Sequence, residues 1–389
     1  MKRIALLGLA VMTVAMSYAQ GISGTWKGML NAGNQKLEIV FHFDPSKDGG
    51  GAATMDVLAL LMEYTGKLNN GVITGTFRQF GVAFPLELKA GDAGKPNRPQ
   101  EPESPLGYKT EEVTFTNQKA HVSLAGTLTY PVNYTPDKKV PVVIMVTGSG
   151  AQNRDEEVFA HKPFRVIADY LAKQGIASLR YDDRGVGQST GNQSGCTSAD
   201  FAEDAACGLS WLKSSGKFNQ VGILGHSEGG LIAFMLGAEG KADFLVSMAG
   251  PGIKGDSLLV EQQNALFKLK GIPSNVSVST LRKSMATQPG NVWLEYFMDY
   301  DPRPDLERIT IPVMAVNGSN DMQVLSDSNI SAIRNCLSGK NSKNFIKVYP
   351  GLNHLFQHCE PASSMDYYKI EETCSPEVLR DIAAWINSL

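Results

Sequence analysis

The sequence is poor in the residue patterns that build metal, nucleotide and nucleic acid sites. Its 389 residues include five cysteines and six histidines, and none of them form the Cys-x-x-Cys or Cys–His spacing of a zinc site. Neither Gly-Lys-Ser nor Gly-Lys-Thr occurs, which excludes a phosphate-binding P-loop. The formal net charge is −3 and no basic block is present, so we expect no metal, no nucleotide and no nucleic acid partner.

The N-terminus lacks a hydrophobic run long enough to span a bilayer. The apolar run at residues 4–16 follows a positively charged start and precedes small residues at Ser17 and Ala19. This pattern predicts a signal peptide over residues 1–19 and export to the periplasm or the extracellular space. An uncleaved membrane anchor is the alternative, but after cleavage we expect no stable membrane insertion.

Export implies an oxidising compartment, where disulfides form. Because five cysteines are an odd number, at least one is free or pairs between chains. Connectivity cannot be read from a sequence, so two pairings are only considered: Cys359 with Cys374, and Cys196 with Cys207.

The pattern of the chain changes at a proline-rich stretch. Residues 20–92 contain frequent glycines and short alternating runs, which predict a small all-β module. Residues 93–107 carry four prolines among polar residues and are typical of an extended linker. Residues 108–389 alternate strand-like and helix-like segments, which predicts an α/β domain with a doubly wound, mostly parallel sheet. Helix-prone sequence at about 252–306 interrupts this alternation and suits a cap.

The segment Gly225–Gly230, with the sequence Gly-His-Ser-Glu-Gly-Gly, follows an apolar run and precedes a helix-prone run. Gly-x-Ser-x-Gly alone is weak evidence in a chain with 39 glycines. Between a strand and a helix, however, it is typical of the sharp turn that exposes a nucleophilic serine. We therefore predict Ser227 as a catalytic nucleophile.

A nucleophilic serine needs a base and an acid that orients the base. His354 follows the last predicted strand, and Asp321 follows the strand before it. Loops at the carboxyl ends of parallel strands meet at one edge of the sheet, where Ser227 also lies. We predict His354 as the base and Asp321 as the acid, with His358 and Asp327 as the respective alternatives.

The oxyanion of the reaction intermediate needs two N–H donors. We predict the backbone amide of Glu228 as one donor. The other is predicted to be the amide of Ser149, in the loop 147–150 after a buried strand, with Gly150 as the alternative. Arg154 follows this loop.

Arg154 is a candidate for binding a substrate carboxylate. Structural pairing with Asp155 or Asp183 is the favoured interpretation, because acidic residues surround it in the sequence.

Together these segments resemble a known family. The resemblance rests on residues 147–150, Arg154-Asp155, residues 161–164, residues 181–189, residues 225–230, and the loops of Asp321 and His354. They are similar to exported bacterial α/β-hydrolases of the serine-aminopeptidase-like branch, which includes two-domain carboxylesterases. The resemblance implies an α/β-hydrolase fold with a helical cap and a small N-terminal all-β domain. It also implies a Ser227–His354–Asp321 triad, hydrolysis of short acyl esters, a small-molecule ester substrate and no cofactor.

Two other functions are considered. An aminopeptidase or acyl-peptide hydrolase would use the same triad with a carboxylate pair that binds the substrate amine. The cap offers five such carboxylates: Asp256, Glu261, Glu295, Asp299 and Asp301. A non-catalytic protein whose β module binds a glycan or lipid is the third hypothesis.

Overall fold

The computed structural model describes most of the chain after the predicted signal peptide, which lies outside the described residues. The described residues are 24–32, 35–44, 52–55, 62–79, 82–90, 96–269, 271, 273, 275–285 and 291–389. No helix among them is long and apolar enough to cross a membrane. The described chain divides into two compact units, and the division between Asn97 and Arg98 falls within the predicted linker.

The first unit contains a six-stranded antiparallel sheet with the strand order β3-β2-β1-β6-β5-β4. Its strands are β1 Gly24–Ala32, β2 Gln35–Asp44, β3 Ala52–Met55, β4 Met62–Asn69, β5 Val72–Gln79 and β6 Val82–Ala90. Asn70 and Gly71 join β4 to β5 with positive φ angles of 49° and 75°, as a two-residue hairpin turn requires. Trp26, Ile73 and Leu88 are buried. This sheet is the predicted small all-β domain.

The second unit is built on an eight-stranded sheet with the order β14-β13-β12-β11-β9-β10-β8-β7. Six adjacent strands from β14 to β10 are parallel, and β8 and β7 continue the sheet antiparallel at one edge. The strands are β7 Thr110–Asn117, β8 Val122–Thr129, β9 Val140–Val146, β10 Ala177–Tyr181, β11 Phe218–His226, β12 Leu245–Met248, β13 Val313–Gly318 and β14 Phe345–Tyr349. The predicted mostly parallel sheet is confirmed.

Successive side chains of a strand point to opposite faces of the sheet, and here both faces are hydrophobic. Helices therefore cover both faces. In β9, Val142 and Ile144 pack in one hydrophobic cluster, whereas Val143 and Met145 pack in the other. The first cluster includes side chains of the helices α2, α3 and α8, and the second includes side chains of α1 and α9. These helices are α1 Pro163–Lys173, α2 Ser198–Ser214, α3 Glu228–Ala238, α8 Ser326–Leu337 and α9 Pro376–Asn387.

Four helices between β12 and β13 form the cap. They are α4 Gly255–Leu269, α5 Val278–Met285, α6 Val292–Asp299 and α7 Arg303–Leu306. Arg282 of α5 joins α4 and α6 by donating to Asp256 at 2.6 Å and to Asp299 at 2.7 Å. Asn291 accepts a hydrogen bond from the Leu294 amide at 3.0 Å and so caps the start of α6.

Neither considered disulfide is present, and all five cysteines are free thiols. Cys196 lies 3.3 Å from a guanidinium nitrogen of Arg184, and Cys359 lies 3.8 Å from the side-chain amide of Asn320. Each of these sulfurs therefore has a polar neighbour other than its proposed partner. Burial raises the pKa of the Cys374 thiol, which keeps it protonated and unreactive.

A buried ion pair fixes the loop that follows β10 to helix α2. Arg184 donates two hydrogen bonds to Asp204, at 2.7 Å from Nε and 2.8 Å from Nη2. Asn117 of β7 donates to the same carboxylate at 2.7 Å. Both charged side chains are almost completely buried, so the loss of either leaves an uncompensated charge.

We expect Arg184→Met to lower the free energy of unfolding by about 3–5 kcal/mol, because Asp204 would remain buried without its cation. Urea denaturation followed by circular dichroism measures this change. Lys173→Met breaks an exposed pair with Asp169 and is the matched control, with an expected loss of about 0–1 kcal/mol. Equal losses in the two variants would contradict the argument.

Candidate active site

The turn that carries Ser227 permits only glycine at two flanking positions. A Cβ atom at Gly225 would lie 1.9 Å from the carbonyl oxygen of Gly229, and one at Gly229 would lie 2.0 Å from the carbonyl oxygen of Val146. Between them Ser227 has a φ angle of 54° and a ψ angle of −118°, a strained conformation for a residue with a side chain. Its amide donates to Met248 at 2.8 Å. The chain thus passes directly from β11 into α3 with the serine at the bend.

The structure brings the predicted acid and base together. Asp321 follows β13, His354 follows β14, and Asp321 Oδ2 lies 2.7 Å from His354 Nδ1. Asp321 Oδ1 accepts from the amides of Gln323 at 2.7 Å and Val324 at 3.0 Å. Both Asp321 and His354 are only 3% exposed. Because Nδ1 is bonded to the carboxylate, Nε2 is the imidazole atom left for chemistry.

A buried polar network holds the loop of His354. Asn353 Oδ1 accepts from the amides of Leu355 and Gln357 at 3.0 Å each, and its amide group donates to Gln357 Oε1 at 2.9 Å. Gln357 in turn lies 2.9 Å from His161, whose other ring nitrogen lies 2.9 Å from Thr373. Both ring nitrogens of the completely buried His161 are used in these contacts, so His161 stabilises the loop of His354.

His226 joins the serine turn to both neighbouring loops. Its Nε2 lies 3.0 Å from the carbonyl oxygen of His354, and the two imidazole rings are 4.8 Å apart. Its Nδ1 lies 2.9 Å from Glu156 Oε1, which also accepts from the Gly148 amide at 2.8 Å. His354 and the loop 147–150 are therefore both fixed next to Ser227.

The surroundings of His226 favour its charged form. Burial by itself disfavours the cation, but the charge and hydrogen bond of Glu156 and the carbonyl of His354 outweigh it and raise the pKa of His226. A carbonyl oxygen can only accept, so Nε2 donates to His354. With Nδ1 donating to the Glu156 carboxylate, the pair is a buried ion pair.

The loop after β9 has the shape of an oxyanion-binding loop. A Cβ atom at Gly148 would lie 3.3 Å from the Cβ of Ser227, so this backbone runs alongside the predicted nucleophile. The Gly148 amide is occupied by Glu156. Within the described part of the chain, neither the Ser149 amide nor the Glu228 amide donates to a protein acceptor. Both predicted donors are thus available to a ligand.

Asp183 also holds the loop 147–150 by hydrogen bonds. Its carboxylate accepts from the Thr147 hydroxyl at 3.0 Å and from the Gln152 amide at 2.9 Å. Burial, assisted by the charges of Glu228 and Glu156, raises the pKa of Asp183 well above its usual range despite these hydrogen bonds.

The side chain of Glu228 has a role that the sequence does not reveal. Its carboxylate is buried and accepts from the Ser198 hydroxyl at 2.6 Å and from the Trp293 indole N–H at 2.7 Å. Burial raises the pKa of Glu228, whereas hydrogen bonds from Ser198, Trp293 and Ser149 oppose the rise. In the sequence, Ser198 lies 30 residues and Trp293 lies 65 residues from Glu228, so no local motif indicates these contacts.

Arg154 makes structural pairs, but the predicted partners are wrong. It binds Asp182 through Nε at 3.1 Å and Nη2 at 2.8 Å, and it also pairs with Glu112. Asp155 instead pairs with Arg180. Two hydrogen bonds to the Asp182 carboxylate hold the guanidinium in place, so Arg154 has a structural role rather than a substrate-binding one.

The alternative acid and base lie in less suitable positions. His358 is exposed and pairs with Glu372 at 2.8 Å, and Asp327 is exposed in the first turn of α8. Asp321 and His354, by contrast, are buried and bonded to each other.

The cap carboxylates are largely engaged. Asp256 and Asp299 share Arg282, Asp301 pairs with Arg303, and Glu261 accepts from the Ser328 hydroxyl. Among the described residues, no group of three His, Cys, Asp or Glu side chains is arranged to hold a metal ion.

Comparisons with known proteins agree on one class. Residues 162–287 match the family model described as serine aminopeptidase, S33. Esterase EstD of Thermotoga maritima is 29% identical over 293 residues, which are 72% of this chain and 68% of EstD. The solved structure of the Pyrococcus furiosus esterase Pf2001 has a TM-score of 0.51 and 17% identity, and covers 76% of this chain and 98% of its own; it supports the fold alone.

The chain therefore has the α/β-hydrolase fold that the sequence predicts. It is similar to a hydrolase family over residues 162–287 and to an esterase over 72% of its length.

The buried pair of His226 and Glu156 predicts a pH-dependent contribution to stability. The pKa of His226 is raised on folding, so its contribution is fully present below the unfolded value of about 6.5 and is lost as pH rises through the folded pKa. We expect His226→Gln to lower the free energy of unfolding more at pH 6 than at pH 9, as measured by urea denaturation. In a Glu156→Gln background this pH dependence should disappear; a loss that is constant with pH in both backgrounds would contradict the ion pair.

Proposed function

We propose that the protein hydrolyses short-chain carboxylic esters through a Ser227–His354–Asp321 triad. The observation that supports this most is the buried 2.7 Å contact between His354 Nδ1 and Asp321 Oδ2. A hydrogen bond from His226 to the carbonyl oxygen of His354 joins the loop of His354 to the turn of Ser227. Nucleophilic acyl transfer needs a serine exposed at a strained turn and an oriented imidazole, and His226 links the loops that carry these two side chains.

In the acylation half of the proposed reaction, His354 Nε2 removes the proton of the Ser227 hydroxyl as its oxygen attacks the ester carbonyl. Asp321 holds the imidazole in the required tautomer and stabilises the imidazolium. The amides of Ser149 and Glu228 bind the oxyanion, where one donor is worth roughly 2.7–4 kcal/mol of transition-state stabilisation. The protonated His354 then gives its proton to the leaving alcohol, and an acyl-Ser227 ester remains.

In the second half, water replaces the alcohol. His354 removes a proton from the water molecule as it attacks the acyl carbonyl, and the same two amides hold the second oxyanion. Collapse of the intermediate returns the proton from His354 to Ser227 and releases the acid. No cofactor takes part in this scheme.

Two observations support esters rather than peptides. The relative EstD and the solved Pf2001 are both named esterases. An aminopeptidase would need unpaired carboxylates for the substrate amine, whereas Asp256, Asp299 and Asp301 of the cap have arginine partners. The proposal of short acyl chains rests on Trp293 of the cap, which hydrogen-bonds Glu228, the residue after Ser227, and so would limit the space for an acyl group there. Together with the N-terminal pattern, this makes the proposed enzyme an exported short-chain esterase.

Replacement of the nucleophile tests the reaction. We expect Ser227→Ala to lower kcat for p-nitrophenyl acetate by roughly 10⁴–10⁶-fold, because the acyl-enzyme cannot form. A panel from acetyl to decanoyl esters should show highest kcat/KM for the short chains, and aminoacyl p-nitroanilides should be poor substrates. Ser210→Ala, on the exposed part of α2, is the control and should keep wild-type rates. An active Ser227→Ala enzyme would refute the proposed nucleophile.

Replacement of the acid tests the orientation of the base. Asp321→Asn keeps the shape of the side chain but removes the charge that stabilises the imidazolium, so we expect a folded protein with kcat lower by roughly 10³–10⁴-fold. Thermal unfolding verifies the fold and steady-state kinetics measures the loss. Asp327→Asn, which changes the exposed carboxylate six residues later, should retain activity. The reverse result would assign the acid to Asp327.

A further inference from the structure

The proposed reaction uses only the backbone amide of Glu228, yet its side chain makes a second, unexplained set of contacts. The carboxylate is 2% exposed and receives two short hydrogen bonds on one oxygen, from Ser198 at 2.6 Å and from Trp293 at 2.7 Å. Buried carboxylates are retained where such donors offset the loss of hydration. This hydrogen-bonded carboxylate belongs to the residue directly after the proposed nucleophile.

The two donors come from different parts of the domain. Ser198 is the first residue of α2 and is completely buried, so this contact belongs to the scaffold. Trp293 belongs to α6 of the cap, where its ring stacks on Phe297 at 5.3 Å. The indole N–H is the only hydrogen-bonding atom of tryptophan and can only donate. Glu228 is thus the acceptor that joins the cap to the scaffold at this point.

The position of Glu228 in the chain gives this contact a functional consequence. Glu228 follows Ser227 directly and is the first residue of α3, so its amide lies at the sharp bend of the turn. A change in the contacts of the Glu228 side chain therefore shifts the same residue whose backbone N–H is the predicted oxyanion donor. A displacement of about 1 Å is enough to weaken a catalytic interaction strongly.

We propose that Glu228 is a positioning residue through which cap helix α6, by way of the Trp293 indole, sets the position of the oxyanion-binding amide. When the indole donates to the carboxylate, the Glu228 amide is held in its binding position. This inference rests on the proposed esterase function. It adds that the cap contributes to catalysis itself in addition to enclosing the substrate.

A different role for the carboxylate, binding a substrate amine, fits the contacts less well. One oxygen already has two donors from Ser198 and Trp293, and Ser149 also hydrogen-bonds the carboxylate. Burial raises the pKa of Glu228 and so disfavours the charge that an ammonium group needs. The carboxylate is therefore an acceptor for the protein's own donors.

The test compares Trp293→Phe, which removes the N–H and keeps an aromatic ring, with Glu228→Ala and the double variant. The probes are p-nitrophenyl acetate hydrolysis and inhibition by butylboronic acid, whose tetrahedral adduct with Ser227 mimics the oxyanion. We expect Trp293→Phe to lower kcat and weaken boronic acid inhibition by about tenfold, the effect of one lost hydrogen bond of ~1.4 kcal/mol. KM should change less than about twofold, because substrate binding precedes oxyanion formation.

Coupling is the decisive measurement. In the Glu228→Ala background, Trp293→Phe should have no further effect, because both changes break the same connection. Glu228→Gln keeps an acceptor oxygen and should therefore lose less activity than Glu228→Ala. Trp211→Phe on α2, outside this network, is the matched control and should stay within about twofold of wild type. If Glu228→Ala fails to fold, Glu228→Met, which removes the acceptor but keeps the side-chain volume, takes its place in the cycle.

The outcomes separate this inference from the proposed function. If wild type is active and depends on Ser227, but Trp293→Phe changes only thermal stability or its effect adds fully to that of Glu228→Ala, the positioning role is overturned and the esterase proposal stands. If activity does not depend on Ser227, both are overturned. Equal losses of kcat and boronic acid affinity that vanish in Glu228→Ala support the proposed connection.

Discussion

The close approach of three backbone segments at the serine turn is the constraint on which the rest of the site depends. Gly225 contacts the carbonyl of Gly229, and Gly229 contacts the carbonyl of Val146 at the end of β9, so no side chain fits at either position. Ser227 takes up the sharp bend with its φ angle of 54°. The same approach brings the loop after β9 alongside the serine. One packing requirement therefore places both the predicted nucleophile and its predicted oxyanion donors.

The arrangement of the candidate site residues could be predicted because it depends on local patterns and on one rule of sheet geometry. Strands β13 and β14 are adjacent and parallel, so the loops after them meet at one edge of the sheet. This places Asp321 beside His354 although 33 residues separate them. The boundaries of α2 and β14 were also predictable, because a capping threonine precedes α2 and turn residues flank β14.

The supporting contacts could not be predicted, because they join residues that no sequence pattern relates. Three carboxylates directly follow Arg154 in the sequence, yet Arg154 pairs with Asp182 in the loop after β10 rather than with the predicted partners. Glu156 and His226 are 70 residues apart, and either would be an ordinary surface residue in another fold. The two cysteine pairings that the sequence left open do not form, and all five cysteines are free thiols.

These unpredicted contacts answer an electrostatic problem in the site. Glu156, Asp183 and Glu228 all lie around the loop that we propose binds a negative oxyanion, and three full negative charges there would oppose that binding. Burial raises the pKa values of Asp183 and Glu228, which favours their neutral forms, and the cation of His226 compensates Glu156. The carboxylates can then order the loop as hydrogen-bond acceptors without placing their full charge against the oxyanion. A hydrogen bond from each proposed amide donor to an oxyanion would be strongest where little negative charge opposes it and little solvent screens it.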